Sequence, residues 1–124
     1  MINTSDVLEI HSKLIEDFGG AHGVRDHSIL DSAINRPFQT FDQKELYPTP
    51  QEKAAAQIES IVINHPFNDG NKRTGYFLMR AILLSNQMDI EASEDEKYNF
   101  VLEIAKGNFK YARIANWITD HLKE

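Results

Sequence analysis

The sequence predicts an all-α protein, a single-domain bundle of about six helices. Apolar residues recur at three- and four-residue spacing, and capping residues precede several of these stretches. No segment shows the sustained apolar–polar alternation of a confident strand. At 124 residues, 41% of them hydrophobic, the chain fits one domain over residues 1–124 with a core of its own.

Helix starts and stops mark the elements. Thr49-Pro50-Gln51-Glu52 combines an N-cap, a proline at the first helical position and a glutamate at the third. Ser93-Glu94-Asp95-Glu96 is a second capping box, and Gly107 closes the helix that it opens. The predicted helices cover residues 5–18, 27–35 (capped by Asp26), 50–65, 72–86, 94–106 and 112–122.

Two further predictions concern the middle of the chain. The helix over residues 72–86 is apolar around most of its circumference, and we expect it to be the buried central helix. Residues 37–48 have no clear period and are predicted to form an ordered flap or short hairpin. Its aromatic residues Phe38, Phe41 and Tyr47 either cover the core or contact a target.

Composition excludes several classes of protein. The chain has no cysteine, which removes disulfides and thiolate chemistry, and its formal charge of −6 disfavours a nucleic-acid partner. The N-terminus lacks the pattern of a signal peptide, and no apolar stretch approaches the roughly 18 residues of a membrane span. We therefore expect a cytoplasmic protein without a membrane partner.

The chemically informative stretch is His65-Pro66-Phe67-Asn68-Asp69-Gly70-Asn71-Lys72-Arg73. A helix ends in a histidine, a loop follows, and a new helix begins with two basic residues. Helix N-termini bind anions because their backbone N–H groups lack partners. Gly70 would let the backbone approach a phosphate, and Lys72 and Arg73 would add positive charge. This arrangement predicts a phosphate cradle.

Two further side chains complete a candidate reaction centre. Asp69 is a hard oxygen ligand that suits Mg²⁺ beside phosphates, and His65 can accept a proton near neutral pH. Phosphoryl or nucleotidyl transfer to a hydroxyl needs these parts. Simpler interpretations stay open: His65 as a helix cap, His65 and Asp69 as an incomplete metal pair, or Lys72 and Arg73 as solvated charges. The other histidines, predicted to be structural or exposed, are His11, His22, His27 and His121.

The same stretch resembles the signature of a known family. His65-x-Phe67-x-Asp69-Gly70-Asn71-x-Arg73 is similar to the Fic-domain pattern H-x-F-x-[DE]-G-N-x-R. The resemblance covers essentially the whole chain and is strongest to the death-on-curing (Doc) branch of the Fic/Doc family. Further segments that look like that branch are Phe18-Gly19-Gly20, Gly23-Val24-Arg25-Asp26 and Leu30-x-Ser32-Ala33-x-x-Arg36-Pro37.

The resemblance implies a Fic/Doc fold and a role for each matching residue. His65 would take the proton from a Ser, Thr or Tyr hydroxyl of a target protein. Asp69 would bind Mg²⁺, and a buried Phe67 would hold the loop in shape. ATP or another nucleoside triphosphate would be the co-substrate. Its phosphates would contact Gly70, Asn71, Lys72 and Arg73, while the flap with Phe38, Phe41 and Tyr47 would align the target peptide by adding a strand.

Two departures bear on the reaction. AMP-transferring members of the family have Gly where this chain has Lys72, and a second Arg where it has Tyr76. Arg80, one turn further on, could replace that Arg only if the ligand sat differently. The Doc branch shares both departures and is thought to bind the nucleotide reversed, so that the γ-phosphate is transferred. The resemblance therefore favours protein phosphorylation over AMP transfer.

The resemblance also implies a mode of control. The family's inhibitory segment, [ST]-x-x-x-E-[GN], matches nowhere in the sequence, so a separate antitoxin chain would control the enzyme. We predict a Doc-like toxin that phosphorylates a protein hydroxyl, with a translation factor as the suggested target. Two alternatives stay open: a Fic-type protein adenylyltransferase and a non-catalytic binding module. A nucleic-acid-binding antitoxin or repressor is disfavoured by the charge and by the lack of a basic recognition helix.

Overall fold

The computed structural model describes residues 2–124, and helices dominate it. Within this range all six predicted helices are present, with ends within two residues of those expected, so the all-α class is confirmed. In chain order the elements are α1 (Thr4–Phe18), α2 (His27–Asn35), a 3-10 turn (Arg36–Phe38), β1 (Thr40–Phe41), β2 (Lys44–Glu45), α3 (Pro50–Asn64), α4 (Asn71–Leu84), α5 (Glu94–Ala105) and α6 (Tyr111–Asp120).

Side chains cap the N-termini of α1, α2, α3 and α5. The predicted box at α5 is complete, because the Ser93 hydroxyl accepts from the Glu96 N–H and the Glu96 carboxylate accepts from the Ser93 N–H. At α3, the Thr49 hydroxyl accepts from the Glu52 N–H and donates to the Glu52 carboxylate. Helices α4 and α6 differ, since their N-caps are Gly70 and Lys110 and no side chain caps either helix.

The flap is a hairpin, as predicted. β1 and β2 pair antiparallel, with Thr40 opposite Glu45, and Asp42 and Gln43 both have positive φ (52° and 65°). Two successive residues with positive φ are typical of the tight turns that join hairpin strands. Lys53 of α3 binds the Glu45 carboxylate at 2.9 Å, which ties the hairpin to the helical body.

The central helix is α3, and the prediction that the following helix would occupy this place is wrong. On α4, Phe77 and Leu84 are 45% and 50% exposed. α3 instead contacts α2, the 3-10 turn, α4, α5 and α6. Its buried residues include Gln57 and Ser60, whose polarity made the helix look less central than it is. Its other buried residues are Ala54, Ala55, Ala56, Ile58, Ile61 and Val62.

The buried residues form two apolar clusters that both include side chains of α3. The larger cluster joins α3 to α4, α5 and α6 through residues such as Phe100, Ile104 and Ile114. The smaller cluster joins α1, α2, α3 and α4, and it contains Phe67. The loop between α3 and α4 is therefore anchored in the N-terminal half of the protein.

The longest helices of the described chain, α1 and α3, have 15 residues each. None of the helices between residues 2 and 124 combines the length and apolarity that crossing a bilayer requires.

Candidate active site

The loop between α3 and α4 opens onto a cavity of about 330 Å³. Every predicted site residue of the loop except Phe67 lines it, and Asn68 adds to the lining. The structure thus brings together the candidate base, the candidate metal ligand and the candidate phosphate ligands. The lining residues are His65, Asn68, Asp69, Gly70, Asn71, Lys72 and Arg73.

His65 ends α3 in a left-handed backbone conformation, with φ 52° and ψ 61°. Its ring Nδ1 lies 2.9 Å from the carbonyl oxygen of Ile63. Because a carbonyl only accepts hydrogen bonds, Nδ1 carries the hydrogen and the Nε2 of the neutral ring is left with a lone pair. The side chain is exposed, and Nε2 has no hydrogen-bond partner within residues 2–124. This nitrogen is therefore free to take a proton.

Arg25 holds the backbone at the end of α3. Its Nε donates to the carbonyl oxygen of His65 at 2.6 Å, and its Nη2 donates to that of Asn64 at 2.7 Å. The last carbonyls of a helix lack intrahelical partners, and an arginine near the C-terminus can satisfy them. Arg25 thereby fixes the direction in which the chain enters the loop.

The inner side of the loop is held by Phe67 and Asn71. Phe67 is 1% exposed, as expected for the residue that shapes the loop. Its N–H donates to Asn71 Oδ1, and Asn71 Nδ2 donates to its carbonyl oxygen, both at 3.0 Å. Both ends of the Asn71 amide are thus used within the loop. The backbone N–H of Asn71 and the second hydrogen of its Nδ2 are the donors that this residue has left for an anion in the cavity.

Asp69 presents an exposed carboxylate whose position is fixed by the backbone. Oδ2 accepts from the N–H of Ala21 at 3.1 Å, and Oδ1 accepts from the N–H of Gly70 at 2.9 Å. These two hydrogen bonds lower the pKa of Asp69, and the nearby His11 and Lys72 act in the same direction. The carboxylate is therefore ionised at neutral pH and its remaining lone pairs can bind a cation.

A divalent ion at Asp69 would have to draw most of its ligands from elsewhere. Among residues 2–124 no group of three His, Cys, Asp or Glu side chains could hold a metal. Mg²⁺ is commonly bound by one or two carboxylates together with substrate phosphates and water. The single carboxylate beside an anion cradle fits that mode, and it does not fit a zinc site.

Gly70 begins α4 with φ +76°, a conformation that L residues with side chains rarely adopt. A Cβ here would lie 3.0 Å from Ile15 Cδ1 of α1, so a side chain would also crowd the packing against α1. Lys72 and Arg73 form no ion pair with any described residue. The Arg73 guanidinium carbon lies 4.3 Å from the centre of the Phe18 ring. The first turn of α4 thus offers uncapped N–H groups and two available cations.

The flap residues lie outside this cavity. Phe41 is 75% exposed, and Phe38 lines a different cavity, of about 510 Å³. Tyr47 is half-buried: its hydroxyl accepts from Arg36 Nε at 3.0 Å, and its ring meets that of Tyr111 edge-on. Of the three aromatic residues, Tyr47 serves as an anchor, while Phe41 is the most accessible.

Comparison with known proteins identifies the family of the chain. The family model described as "Fic/DOC family" matches residues 1–83. The chain belongs to the Fic/Doc family. A curated relative named "Toxin Doc", from Mycolicibacterium smegmatis (strain ATCC 700084 / mc(2)155), is 39% identical over 84 residues. That match covers 63% of this chain and 65% of the relative, which is slightly less than two thirds of its length.

Of the two positions at which this Fic/Doc chain departs from AMP-transferring members, Lys72 lines the main cavity and Tyr76 lies beside it. Arg80 binds Asp89 through Nε at 2.8 Å and Nη2 at 2.9 Å, so its guanidinium is already paired. The Tyr76 hydroxyl is buried without a hydrogen-bond partner among the described residues, and burial raises its pKa. Tyr76 also lines a pocket of about 260 Å³ that shares Lys72 and Arg73 with the main cavity.

Sequence reasoning missed several residues that support the Fic/Doc loop. His11 is 3% exposed and lies four residues from Val7 and from Ile15, so the helical pattern could have placed it on the inner face. Arg25 was noted only as part of the family pattern. Gly20 was likewise noted as part of the family pattern, yet a Cβ there would lie 2.9 Å from Asp69 Oδ2. These partners are more than 35 residues from the loop, so spacing alone could not connect them to it.

Proposed function

We propose that this Fic/Doc protein is a Doc-like toxin enzyme that transfers phosphate from a nucleoside triphosphate to a protein hydroxyl. The observation that carries the proposal is the free Nε2 of His65, at the rim of a cavity that also contains an ionised Asp69 and the uncapped start of α4. A base, a cation ligand and a phosphate cradle are the parts that phosphoryl transfer requires.

The proposed step uses these groups as follows. The oxygen of a Ser, Thr or Tyr hydroxyl attacks the γ-phosphorus of ATP, and its proton moves to His65 Nε2. The bond from the γ-phosphorus to the β–γ bridging oxygen breaks, and ADP leaves. Arg73 and the backbone N–H groups of Asn71 and Lys72 stabilise the negative charge on the phosphates.

Asp69 would hold Mg²⁺ together with the nucleotide phosphates. When bound, the ion would neutralise phosphate charge and help to align the transferred group. The low pKa of Asp69 supports this role, because the carboxylate needs no deprotonation before binding. Asp69→Asn should therefore weaken binding of ATP in the presence of Mg²⁺ while changing binding in EDTA much less.

The departures at Lys72 and Tyr76, which resemble the Doc branch, support phosphate transfer over AMP transfer in this proposal. With Tyr76 in place of a second arginine and Arg80 paired with Asp89, Arg73 is the single arginine of α4 available to the phosphates. The nucleoside would then extend into the adjoining pocket lined by Tyr76 and Tyr98. Tyr98 is exposed, so Tyr98→Ala should raise the KM for ATP without loss of stability.

A double-label experiment tests the reaction. The purified chain is incubated with Mg²⁺, cell extract and ATP labelled in either the α- or the γ-phosphate. We expect label from the γ-position on a protein, and none with His65→Ala; His27→Ala, at an exposed histidine on α2, serves as the matched control. Protein labelling from the α-position would show AMP transfer instead. Nucleotide binding without any labelled protein would indicate a binding module.

The toxin role in the proposal is supported by the relative named "Toxin Doc", and the target is taken from the resemblance to the Doc branch. We propose that the protein acts on a translation factor and is controlled by a separate antitoxin chain. Expression of the wild-type chain should arrest growth, and expression of His65→Ala at the same level should not. Growth arrest by both the wild-type chain and His65→Ala would show that toxicity does not depend on the proposed transfer.

A further inference from the structure

Helix α1 lies behind the reaction loop and contacts it through His11. This histidine is 3% exposed, and its Nε2 lies 2.8 Å from the carbonyl oxygen of Asp69. The acceptor is a carbonyl, so Nε2 must carry the hydrogen and donate it. The bond joins residues 58 positions apart and fixes the peptide that carries Asp69.

The ring of His11 makes a second contact with the same loop. It stacks on the ring of Phe67, with 3.8 Å between centroids and 5° between planes. The hydrogen bond and the stack hold two loop residues, Phe67 and Asp69, against one rigid side chain. A buried ring with both a packing and a hydrogen-bonding partner has little freedom to rotate.

The third contact is the close packing at Gly70. A Cβ at Gly70 would lie 3.5 Å from His11 Nε2, so the loop backbone runs directly against the imidazole. Three successive parts of the loop, Phe67, Asp69 and Gly70, therefore rest on His11. The carboxylate of Asp69 can then turn outward, where it accepts from the N–H groups of Ala21 and Gly70.

We propose that His11 is a positioning residue that holds the Asp69 peptide so that its carboxylate faces the bound cation and nucleotide. This inference rests on the proposed function of Asp69. The bonds that orient His65 come from Ile63 and Arg25, and His11 makes none of them. Loss of the His11 hydrogen bond should therefore affect binding of the metal–nucleotide complex more than the proton transfer.

The test separates the hydrogen bond from the stack. His11→Phe keeps a ring against Phe67 and removes the donor, whereas His11→Gln keeps an N–H donor and removes the ring. His121→Phe is the matched control. That histidine also stacks on a ring and bonds a carbonyl oxygen, both of Trp117, but belongs to the C-terminal part of the protein.

Two readouts are used. Hydrogen exchange is measured at the amides of Ala21, Asn68 and Gly70, relative to amides of α5, and Mg²⁺–ATP affinity is measured by titration calorimetry. In His11→Phe we expect exchange at these amides to be about three to ten times faster, the effect of losing one hydrogen bond. Affinity should fall about tenfold, as is typical for the partner of a metal ligand. His11→Gln should stay within about threefold of wild type in both readouts.

Where transfer can be assayed, His11→Phe should raise the KM for Mg²⁺–ATP and leave kcat within about twofold. The exchange readout needs no activity, so it decides the role of His11 even if the chain transfers nothing. Unchanged loop exchange in His11→Phe, or faster exchange spread equally over the protein as in a general destabilisation, would overturn the proposal. If His11→Phe does not fold, the affinity of His11→Gln for Mg²⁺–ATP tests the proposal instead. A tenfold loss of affinity in this variant, which retains an N–H donor, would contradict the positioning role of the His11 hydrogen bond.

Discussion

At the scale of single residues, the backbone of His65 shows a conflict between stability and chemistry. A left-handed residue at the end of a helix is usually glycine, because a side chain there costs about 1 kcal/mol. His65 adopts this conformation with φ 52°. The position orients the imidazole at the cavity rim, so a strained residue is retained at the proposed reaction centre.

This conflict gives a prediction for two variants. His65→Ala and His65→Gly should both abolish transfer, since neither has a base. His65→Gly should be about 1 kcal/mol more stable to urea than His65→Ala, because glycine adopts positive φ without strain. Urea unfolding at pH 7 measures the difference. Equal stability of the two variants would mean that the backbone at residue 65 relaxes when the ring is removed.

The individual side chains of the reaction loop also show what the sequence could and could not predict. The residue types in the family pattern were enough to predict which residues line the cavity, because each type has a chemical property suited to binding a phosphate or a cation. Asn71 was assigned to phosphate, but its side chain closes the loop through Phe67. An amide can bind an anion or satisfy the backbone, and the choice depends on which backbone groups the loop leaves unpaired.

At the scale of elements, the flap hairpin combines a fixed base with an exposed strand. Tyr47 and Lys53 attach its C-terminal end to the body of the protein, while Phe41 remains 75% exposed. The sequence predicted the hairpin but could not separate these roles, because residues 37–48 show no clear period that would assign each aromatic side chain to the core or to solvent. The partner of Tyr47 is Arg36, and this contact depends on how the preceding 3-10 turn folds back.

Phe41→Ala should therefore test target recognition alone. An exposed side chain contributes little to folding, so we expect a change in the free energy of unfolding below about 0.5 kcal/mol. ATP binding should be unchanged, and labelling of the protein target should fall, because an exposed edge strand with an apolar side chain suits strand addition. The control is Leu46→Ala, also at an exposed apolar residue of the flap. Undiminished labelling with Phe41→Ala would exclude this residue from target binding.

The end of α4 is fixed to the following segment by the pair of Arg80 and Asp89. Arg80 holds the pKa of Asp89 at about 2, assisted by the N–H of Ile90. Because the folded pKa lies below the unfolded value of about 3.9, the pair stabilises the protein at neutral pH. That stabilisation is lost as the pH falls through about 2. Arg80 is half exposed, so solvent screening limits the effect to about 1 kcal/mol.

Asp89→Asn should consequently lower the free energy of unfolding by about 1 kcal/mol at pH 7, and the difference from wild type should shrink between pH 4 and pH 2. Urea unfolding across this range measures it. Asp17→Asn, in an exposed pair with Lys13, should show a smaller effect at every pH. A difference at Asp89 that stays constant with pH would show that the ion pair is not its source.

At the scale of the whole molecule, the site depends on one of two apolar clusters. Phe67 belongs to the smaller cluster, with side chains of α1, α2, α3 and α4, and the family model covers this region within residues 1–83. α5 and α6 follow that region and complete the larger cluster around α3. Helical periodicity predicted both helices. It could not show that α3 would be central, because alanines carry little apolar signal although they permit close packing.

This division predicts different consequences for two equally buried phenylalanines. Phe67 and Phe100 are each 1% exposed, one in each cluster. Phe67→Leu and Phe100→Leu should each cost about 1–2 kcal/mol, since each removes ring atoms from a packed core. Only Phe67→Leu also changes the packing of the reaction loop itself, in which the buried Phe67 lies between His65 and Asp69. At a temperature at which circular dichroism shows both variants to be folded, Phe67→Leu should weaken Mg²⁺–ATP binding and Phe100→Leu should not. Equal losses of affinity would mean that the loop depends on the stability of the whole bundle rather than on the N-terminal cluster.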